Sequence, residues 1–218
     1  PSDRILCTVH KIDITSDKLL ALLPNRWLND EIINTYMALL QQRDHTRPQS
    51  ISSPTHFYSS FFFDKLLRHG YKYQEVHRWA KRLDLFRVRR LLIPININNQ
   101  HWTLLVIQPI DKTISYYDSM SGSGSRYLQA ALKYPTDEAA ARKHPFDPST
   151  WRLIEVALTD TPPPQQPNGV ACGINILLFS HFLSRNIPLT PIAPSITLPM
   201  RRFPVQALTT GPLPPTTT

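Results

Sequence analysis

The residues best suited to chemistry in this chain are Cys172 and the loop that precedes it. Residues 165–173 read Gln-Gln-Pro-Asn-Gly-Val-Ala-Cys-Gly, and an apolar run of helical composition follows them. The partial positive charge of a helix N-terminus favours a thiolate over a thiol. Free backbone N–H groups there can bind an anion that forms beside the sulfur. Gln166, in the same loop, can supply a second donor to that anion.

An alternative interpretation of Cys172 is an ordinary buried thiol, since free cysteine is among the most buried residue types. A nucleophilic thiol needs a base, and the base needs an orienting carboxylate. The elements that could position such partners therefore decide between the two interpretations.

A histidine and an aspartate are predicted to meet at one end of a β-hairpin. Residues 89–96, 101–107 and 113–118 have the apolar composition of three strands, with a local irregularity at Pro94 in the first. The connection between the second and third strands is short, so they form an antiparallel hairpin. His101 opens the second strand and Asp118 closes the third. The hairpin therefore brings His101 and Asp118 together.

Two helices are predicted before this sheet. Residues 15–17 supply a polar start for the first helix, and Pro24 stops it. Asn29 or Asp30 caps the second helix, whose apolar side chains recur at helical spacing. Trp27 lies just outside this cap. It is either a staple that fixes the helix to the body or an exposed recognition plate, and residue statistics favour the staple.

The rest of the chain is predicted in outline. The pattern indicates a loop over residues 41–55, an element from 56 that becomes helical before Gly70, an irregular segment or short helix over 76–84, a Gly/Ser loop over 119–125, a helix over 126–134, a strand over 151–158, and a helix from Cys172 to about residue 184. The Gly/Ser loop lacks the Lys-Ser/Thr ending of a phosphate-binding loop, which excludes that motif.

Composition is that of a single globular domain from a reducing compartment. The 218 residues are 41% hydrophobic and 18% charged. Cys7 and Cys172 are the only cysteines, too few for a disulfide framework, and the eight histidines lack the spacing of a zinc site. We expect no metal, no cofactor and no membrane span, because no apolar run approaches ~20 residues. The chain starts at Pro1 and shows no signal peptide, so we expect a fragment whose targeting sequence is missing.

The net charge of +8 is concentrated locally. Residues 65–90 hold nine Lys and Arg against Glu75 and Asp84. Such a run indicates an acidic partner, either a nucleic acid or an acidic protein surface. The alternative is a solvated surface without a partner, since charge runs often have no other role.

At these residues the chain resembles the Ulp/SENP family of SUMO-specific cysteine proteases, a family of ubiquitin-like protease catalytic domains. The matching stretches appear in order over residues 5–200: 27–34 (WLNDEIIN), 78–86 (RWAKRLDLF), 101–107 (HWTLLVI), 116–120 (YYDSM), and 165–169 (QQPNG) with Cys172-Gly173. This resemblance favours the nucleophile over the buried thiol. It implies an α+β, papain-related fold in which a mixed β-sheet packs against the nucleophile helix.

The resemblance also implies a set of catalytic roles. Cys172 would be the nucleophile, His101 the general base and acid, and Asp118 the orienting carboxylate. Gln166 and the Cys172 backbone N–H would form the oxyanion hole.

Substrate-binding roles follow from the same resemblance. Trp27 and Trp102 would enclose the Gly-Gly tail of the modifier, because only glycine can thread a slot between two indoles. This reverses the staple interpretation of Trp27. Asp30 would contact the body of the modifier.

The implied function is a cysteine isopeptidase and endopeptidase that cleaves after the C-terminal Gly-Gly of SUMO. It would remove SUMO from lysines of target proteins, mature the SUMO precursor, or both. Alternatives are a protease for ubiquitin or another ubiquitin-like modifier, an acyltransferase of the same clan, and a non-enzymatic basic binding module. The tryptophan slot argues against the acyltransferase, and the triad argues against the binding module.

The expected partners are SUMO and SUMO-conjugated proteins, with nucleic acid as a side role. We expect a monomer, located in the nucleus or shuttling between nucleus and cytoplasm as the family implies. Residues 1–203 are predicted to be the catalytic domain, and residues 204–218 a disordered Pro/Thr-rich tail. Three features depart from the family pattern: Ala171 in place of its usual Asp, a shortened or absent C-terminal helix, and a proline-marked loop over 143–150.

Overall fold

The computed structural model describes residues 4–9, 11–46, 54–192 and 201. Its strands are β1 (Ile5–Val9), β2 (Ile12–Thr15), β3 (Thr55–Phe57), β4 (Arg90–Ile97), β5 (His101–Gln108), β6 (Thr113–Tyr117) and β7 (Arg152–Glu155). Its helices are α1 (Ser16–Leu19), α2 (Asp30–His45), α3 (Phe61–Leu67), α4 (Ser125–Arg142) and α5 (Cys172–Ser184). Short 3-10 turns occupy Leu20–Leu22, Tyr73–Glu75, His77–Ala80, Pro148–Thr150 and Val156–Leu158.

The central sheet is mixed, in the order β3-β4-β5-β6-β7. Strands β4, β5 and β6 are antiparallel, as predicted for the hairpin, while β3 and β7 join the two edges in parallel. Pro94 is tolerated inside β4 because β3 pairs only with Arg90–Leu92, so no strand needs its missing N–H on that side. The predicted α+β class with a mixed sheet is confirmed.

Helices cover both faces of this sheet. Alternate residues of β5 point to opposite sides: Trp102, Leu104 and Val106 pack with α2 and α5, whereas Leu105 and Ile107 pack with α3 and α4. Burial on both faces explains why the strands read as continuous apolar runs. The α5 helix packs directly against β5, so the chain after Cys172 lies on the sheet, as predicted.

The start of α2 resolves the choice between two predicted caps. The Asn29 side chain accepts a hydrogen bond from the Ile32 N–H at 3.0 Å, so Asn29 is the cap and Asp30 is the first helical residue. Thr15 likewise caps α1. Both helix starts are therefore set by a side chain that satisfies a free backbone N–H.

The predicted loop over residues 41–55 is wrong in its first part, because α2 continues to His45. Polar side chains in this last turn have partners inside the protein. Gln41 exchanges hydrogen bonds with the backbone of Thr55 and Phe57 in β3, and the buried Arg43 donates to Ser184 on α5 at 2.7 Å. Tertiary contacts thus extend a helix that hydropathy alone would end.

The predicted helix over residues 126–134 is too short, since α4 runs to Arg142 with Pro135 inside it. Proline removes one backbone hydrogen bond and normally ends a helix. Here Tyr134, Pro135 and Ala139 are buried against the sheet, and this packing offsets the loss. The predicted strand over 151–158 is also shorter, ending at Glu155 before a 3-10 turn.

One element was missed, and other predictions concern residues that the structure does not describe. The β1–β2 hairpin was not predicted, and it packs against α2. The tail 204–218 and the shortened C-terminal helix lie outside the described residues. Within the described ranges, no helix combines the length and apolarity that crossing a membrane requires.

Candidate active site

The Cys172 thiol lies at the first position of α5. Its residue is only 1% exposed, and the residue before it, Ala171, provides no side-chain cap. The first N–H groups of α5 are thus available near the sulfur, at the positive end of the helix dipole. The helix that carries the thiol is held rigidly, since most of its residues from Cys172 to Ser180 are buried.

His101 and Asp118 meet at one end of the sheet, as the hairpin predicts. The β5–β6 register pairs Leu104 with Tyr117, which places Asp118 beside the first residues of β5. The His101 Nε2 atom lies 2.7 Å from the Asp118 Oδ1 atom. This leaves the other ring nitrogen of His101 to face a second partner.

Asp118 is 2% exposed, and its carboxylate is fixed by the loop that follows β6. Its Oδ1 also accepts the Met120 N–H at 2.8 Å, and its Oδ2 accepts the Gly122 N–H at 3.1 Å. These two N–H donors restrict the rotation of the carboxylate. The carboxylate that faces His101 is therefore held in one orientation.

The pKa of His101 is raised to about 9, first by the hydrogen bond to Asp118 and then by the Cys172 thiol beside it. Partial burial acts in the opposite direction and is outweighed. An imidazole that holds its proton at neutral pH can form an ion pair with a thiolate. The arrangement can thus support nucleophilic attack by sulfur and protonation of a leaving amine.

Gln166 lies in the loop before α5 and is tied to the loop after Asp118. The Ser119 hydroxyl donates to Gln166 Oε1 at 2.8 Å, and the Gln166 backbone N–H donates to the Ser119 carbonyl at 3.1 Å. The Gln166 Nε2 atom donates to the Asn168 carbonyl at 2.5 Å. A side-chain amide carries two N–H bonds, and this contact uses one of them. The second N–H of Gln166 can therefore donate to another group.

The two tryptophans of the predicted slot occupy different environments. Trp27 is 51% exposed, and its indole N–H donates to the Gly169 carbonyl at 2.9 Å, which connects it to the loop before Cys172. Trp102, next to His101, is 3% exposed and donates to the Leu28 carbonyl at 2.8 Å. Trp27 is therefore exposed, unlike a tryptophan that staples a helix to the body. Trp102 is buried beneath the segment that carries Trp27.

Asp30 lies in the first turn of α2 and lines a groove of about 600 Å³, together with Asp64, Arg68 and Arg126. Partial burial and the neighbouring Glu31 raise the pKa of Asp30. The structure therefore brings His101, Asp118 and Cys172 together and connects Gln166 and Trp27 to the same loops. Asp30 lies outside this group, at the start of α2.

Arg201 is a member of this region that sequence reasoning missed. It is 6% exposed, and its guanidinium donates to four backbone carbonyls: Ala21 at 3.1 Å, Leu23 at 3.0 Å, Arg26 at 2.6 Å and Val170 at 3.3 Å. Burial lowers the pKa of Arg201, and the charge of Cys172 acts in the opposite direction. The guanidinium thus fastens the segment before Trp27 to the loop before Cys172.

Ser119 was also missed, although it directly follows the predicted Asp118. Nothing in the residue types identified either contact, since both depend on loops that meet only in the folded chain. Among the described residues, no group of three or more His, Cys, Asp and Glu side chains could hold a metal ion.

Comparison with known proteins places this geometry in context. The profile of the Ulp1 protease family, C-terminal catalytic domain, matches residues 26–207. Ubiquitin-like-specific protease 1A of Arabidopsis thaliana is 38% identical over 198 residues, covering 86% of this chain and 38% of that protein. Sentrin-specific protease 2 of Homo sapiens is 36% identical over 193 residues, covering 87% of this chain and 31% of that protein. The chain thus spans about a third of the length of these relatives.

Two solved structures of Ulp1 also resemble this chain. The X-ray structure of the C-terminal Ulp1 protease domain in complex with Smt3, the yeast ortholog of SUMO, superposes with a TM-score of 0.80 at 32% identity, covering 95% of this chain and 87% of that one. The SUMO protease Ulp1 with its catalytic cysteine oxidized to a sulfenic acid gives a TM-score of 0.80 at 31% identity, covering 94% and 88%.

Proposed function

Since this chain belongs to the Ulp1 protease family, we propose that it is a cysteine protease that cleaves after the C-terminal Gly-Gly of SUMO. It acts as an isopeptidase on SUMO attached to target lysines, as an endopeptidase that matures the SUMO precursor, or as both. The observation that carries the proposal is the His101–Asp118 hydrogen bond at the sheet end beside Cys172. A thiol, a base and an orienting carboxylate are the parts that acyl transfer to sulfur requires.

In the proposed mechanism the Cys172 thiolate attacks the carbonyl carbon of the terminal glycine. The tetrahedral intermediate collapses when the C–N bond breaks, and the His101 imidazolium gives its proton to the leaving amine. His101 then takes a proton from water, which attacks the thioester and releases the carboxylate and Cys172. Asp118 stabilises the charged form of His101 throughout, consistent with its effect on the pKa of His101.

The oxyanion of the intermediate is assigned to two donors. The first is the Cys172 backbone N–H, at the positive end of α5. The second is the side-chain N–H of Gln166 that does not bond to Asn168. One such donor is worth about 10²–10³ in kcat in other enzymes.

The tail of the modifier is assigned to the surface beside Cys172 where Trp27 and Trp102 lie. Trp27 and Trp102 are proposed to enclose this tail, Trp27 as the exposed wall and Trp102, whose indole N–H donates to the Leu28 carbonyl, as the buried wall. Glycine fits such a slot because it has no side chain. The groove beside Asp30 takes the body of the modifier.

The partners that follow from this function are SUMO and SUMO-conjugated proteins. The reaction needs no cofactor, since the attacking, basic and orienting groups are all side chains. We propose a monomer that acts in the nucleus or moves between nucleus and cytoplasm, as the family resemblance implies.

The test compares turnover of two fluorogenic substrates, one built on SUMO and one on ubiquitin. We expect a higher kcat/KM for SUMO. Cys172→Ala should abolish hydrolysis while keeping SUMO binding, because the thiol makes the covalent bond and a wide surface makes the contacts. Cys7→Ser is the matched control, since the half-buried Cys7 lies on β1 and should leave kcat little changed.

Two results would contradict the proposal at different levels. Equal or better turnover of ubiquitin would remove the SUMO assignment and leave the cysteine protease. Near wild-type hydrolysis by Cys172→Ala would remove the nucleophile. A panel of modifier C-terminal activity probes identifies which modifier attaches to Cys172.

A further inference from the structure

The two ends of the central sheet differ in charge. His101 and Asp118 mark the catalytic end. The opposite, distal end is formed by the starts of β4, β6 and β7 and the end of β5, as their register requires. Because β5 has eight residues, the two ends are about 23 Å apart.

Exposed basic side chains gather on segments that meet at the distal end. They are Arg78, Lys81, Arg82, Arg87, Lys143 and Arg152, which we name the distal basic face. The segment over residues 76–89 leads into the start of β4, Lys143 follows the end of α4, and Arg152 opens β7. This face holds four of the nine basic residues that the sequence concentrates over residues 65–90.

Contacts between these segments hold them against one another. Arg142 at the end of α4 donates to the Ala80 carbonyl. The Phe86 and His144 rings stack at 4.1 Å with an interplanar angle of 7°. Phe146 contacts both Phe86 and Trp151, with ring centroids 6.1 Å and 5.3 Å apart. The segments that carry the distal basic face are therefore joined by packed aromatic side chains.

Nearby acidic groups leave most of this positive charge unneutralised. Asp84 pairs with Arg87 at 3.4 Å, Glu138 is buried and pairs with Arg142 at 2.5 Å, and Asp147 caps its own turn. Within the described part of the chain, the other five members of the face make no ion pair. The face thus carries several positive charges that no ion pair neutralises.

The surface chemistry favours phosphate over a protein partner. Protein interfaces are built around an apolar core, but none of the large exposed hydrophobic side chains of the described residues belongs to segments 76–90 or 142–152, and a single one, Ile110, lies in the neighbouring β5–β6 turn. A nucleic acid needs no such core, since its charges lie about 3.4 Å apart along each strand and bind by releasing counterions. Separate cations on three segments can each meet a phosphate of one strand.

We propose that the distal basic face binds nucleic acid through its phosphate backbone, without sequence preference. The catalytic end stays accessible when this face is occupied, because about 23 Å separates them. The screening length at 0.1 M salt is about 10 Å, so a polyanion at the distal end has little direct effect on the charge of His101.

The experiment measures binding of a fluorescent oligonucleotide by anisotropy over a range of salt concentrations, single-stranded and duplex in parallel. The test variant is Arg78→Gln with Lys81→Gln and Arg82→Gln. The matched control removes three exposed cations outside the face: Arg4→Gln, Lys11→Gln and Lys65→Gln. Both variants have the same net charge, so a difference between them reports position.

We expect the test variant to lose about tenfold or more in affinity at low salt, and its slope of log K against log salt to shrink by about 2–3, as the loss of three phosphate contacts requires. The control should keep most of the affinity, and both variants should keep wild-type hydrolysis. Equal losses in the two variants would overturn the proposal, since net charge alone would explain them. Tighter binding of polyglutamate than of an oligonucleotide of equal charge would also overturn it, in favour of an acidic protein.

Discussion

A single buried carboxylate, that of Asp118, carries three hydrogen bonds at the candidate site. Its oxygens accept from His101, Met120 and Gly122, at 2.7 Å, 2.8 Å and 3.1 Å. The two backbone donors hold it in one orientation, and its hydrogen bond to His101 raises the pKa of that imidazole. The proposed base, His101, is thus held in place by the protein itself, without a substrate.

We predict that Asp118→Asn lowers kcat by about 10²–10⁴ without unfolding the protein, because the amide is isosteric but neutral. It should also change the pH profile. Asp118 is the main cause of the raised pKa of His101, about 9, so without the carboxylate this pKa falls toward its usual value. The alkaline limb of kcat/KM, where the imidazolium is lost, should then move to lower pH. A folded variant with normal kcat and an unmoved limb would remove Asp118 from the mechanism.

Arg201 gives a second prediction at this scale. Arg201→Gln leaves up to four carbonyls without their donor, and each buried unsatisfied group costs about 1–3 kcal/mol. We expect a lower melting temperature, slower alkylation of Cys172 by iodoacetamide, and a reduced kcat with a smaller change in KM. Arg26→Gln is the control, since that side chain is exposed. If Arg201→Gln lowered only the melting temperature, its role would be structural alone.

Sequence reasoning found one kind of site residue and missed another. His101 and Asp118 could be paired because hairpin geometry brings defined strand ends together. Arg201 could not be found, because its partners are backbone carbonyls on loops up to 180 positions away, and a carbonyl has no residue type to recognise.

At the scale of elements, the loop between β6 and α4 determines whether Asp118 keeps its position. A Cβ atom on Gly122 would lie 2.6 Å from Asp118 Oδ2, and one on Gly124 would lie 2.2 Å from the ring of the buried Tyr116. Both distances are shorter than van der Waals contact allows. Gly122 therefore leaves room for the Asp118 carboxylate, and Gly124 leaves room for the buried Tyr116 ring.

We predict that Gly122→Ala lowers kcat strongly with a modest loss of stability, because it displaces a side-chain carboxylate. Gly124→Ala should lower the melting temperature more, since it forces a core ring to move, while the folded fraction keeps more of its activity. Kinetics and thermal melts of both variants check this. Gly169→Ala is the control for the thermal melts, as no atom beyond its chain neighbours lies within 4 Å of the added Cβ. Identical effects of the first two variants would contradict the separation.

Element boundaries show where local sequence stops deciding structure. The helix starts at Asn29 and Cys172 were predicted, because a cap or a loop-to-helix change is local. The ends of α2 and α4 were not, because Arg43 finds Ser184 on another helix and Pro135 is held by burial against the sheet. Such contacts are formed by the fold and cannot be read from a window of residues.

At the scale of the whole molecule, residues 1–203 are proposed to be sufficient for catalysis. The family match ends at residue 207, close to this boundary, and the remaining residues are rich in Pro and Thr. We predict that a chain ending at residue 203 keeps its melting temperature and kcat/KM. A chain ending at residue 192 lacks Arg201 and should lose both in part. If only the chain ending at 207 or later were active, the proposed boundary would be wrong.

The topology of the sheet has a consequence for how the protein acquires activity during synthesis. Strands β4, β5 and β6 are neighbours both in sequence and in space, so their pairing closes only short loops and should be an early folding event. His101 and Asp118 both lie on this meander. Cys172 is added only with α5, so the nascent polypeptide carries the proposed base and carboxylate before the proposed nucleophile. We expect the emerging chain to remain inert on the ribosome until α5 docks.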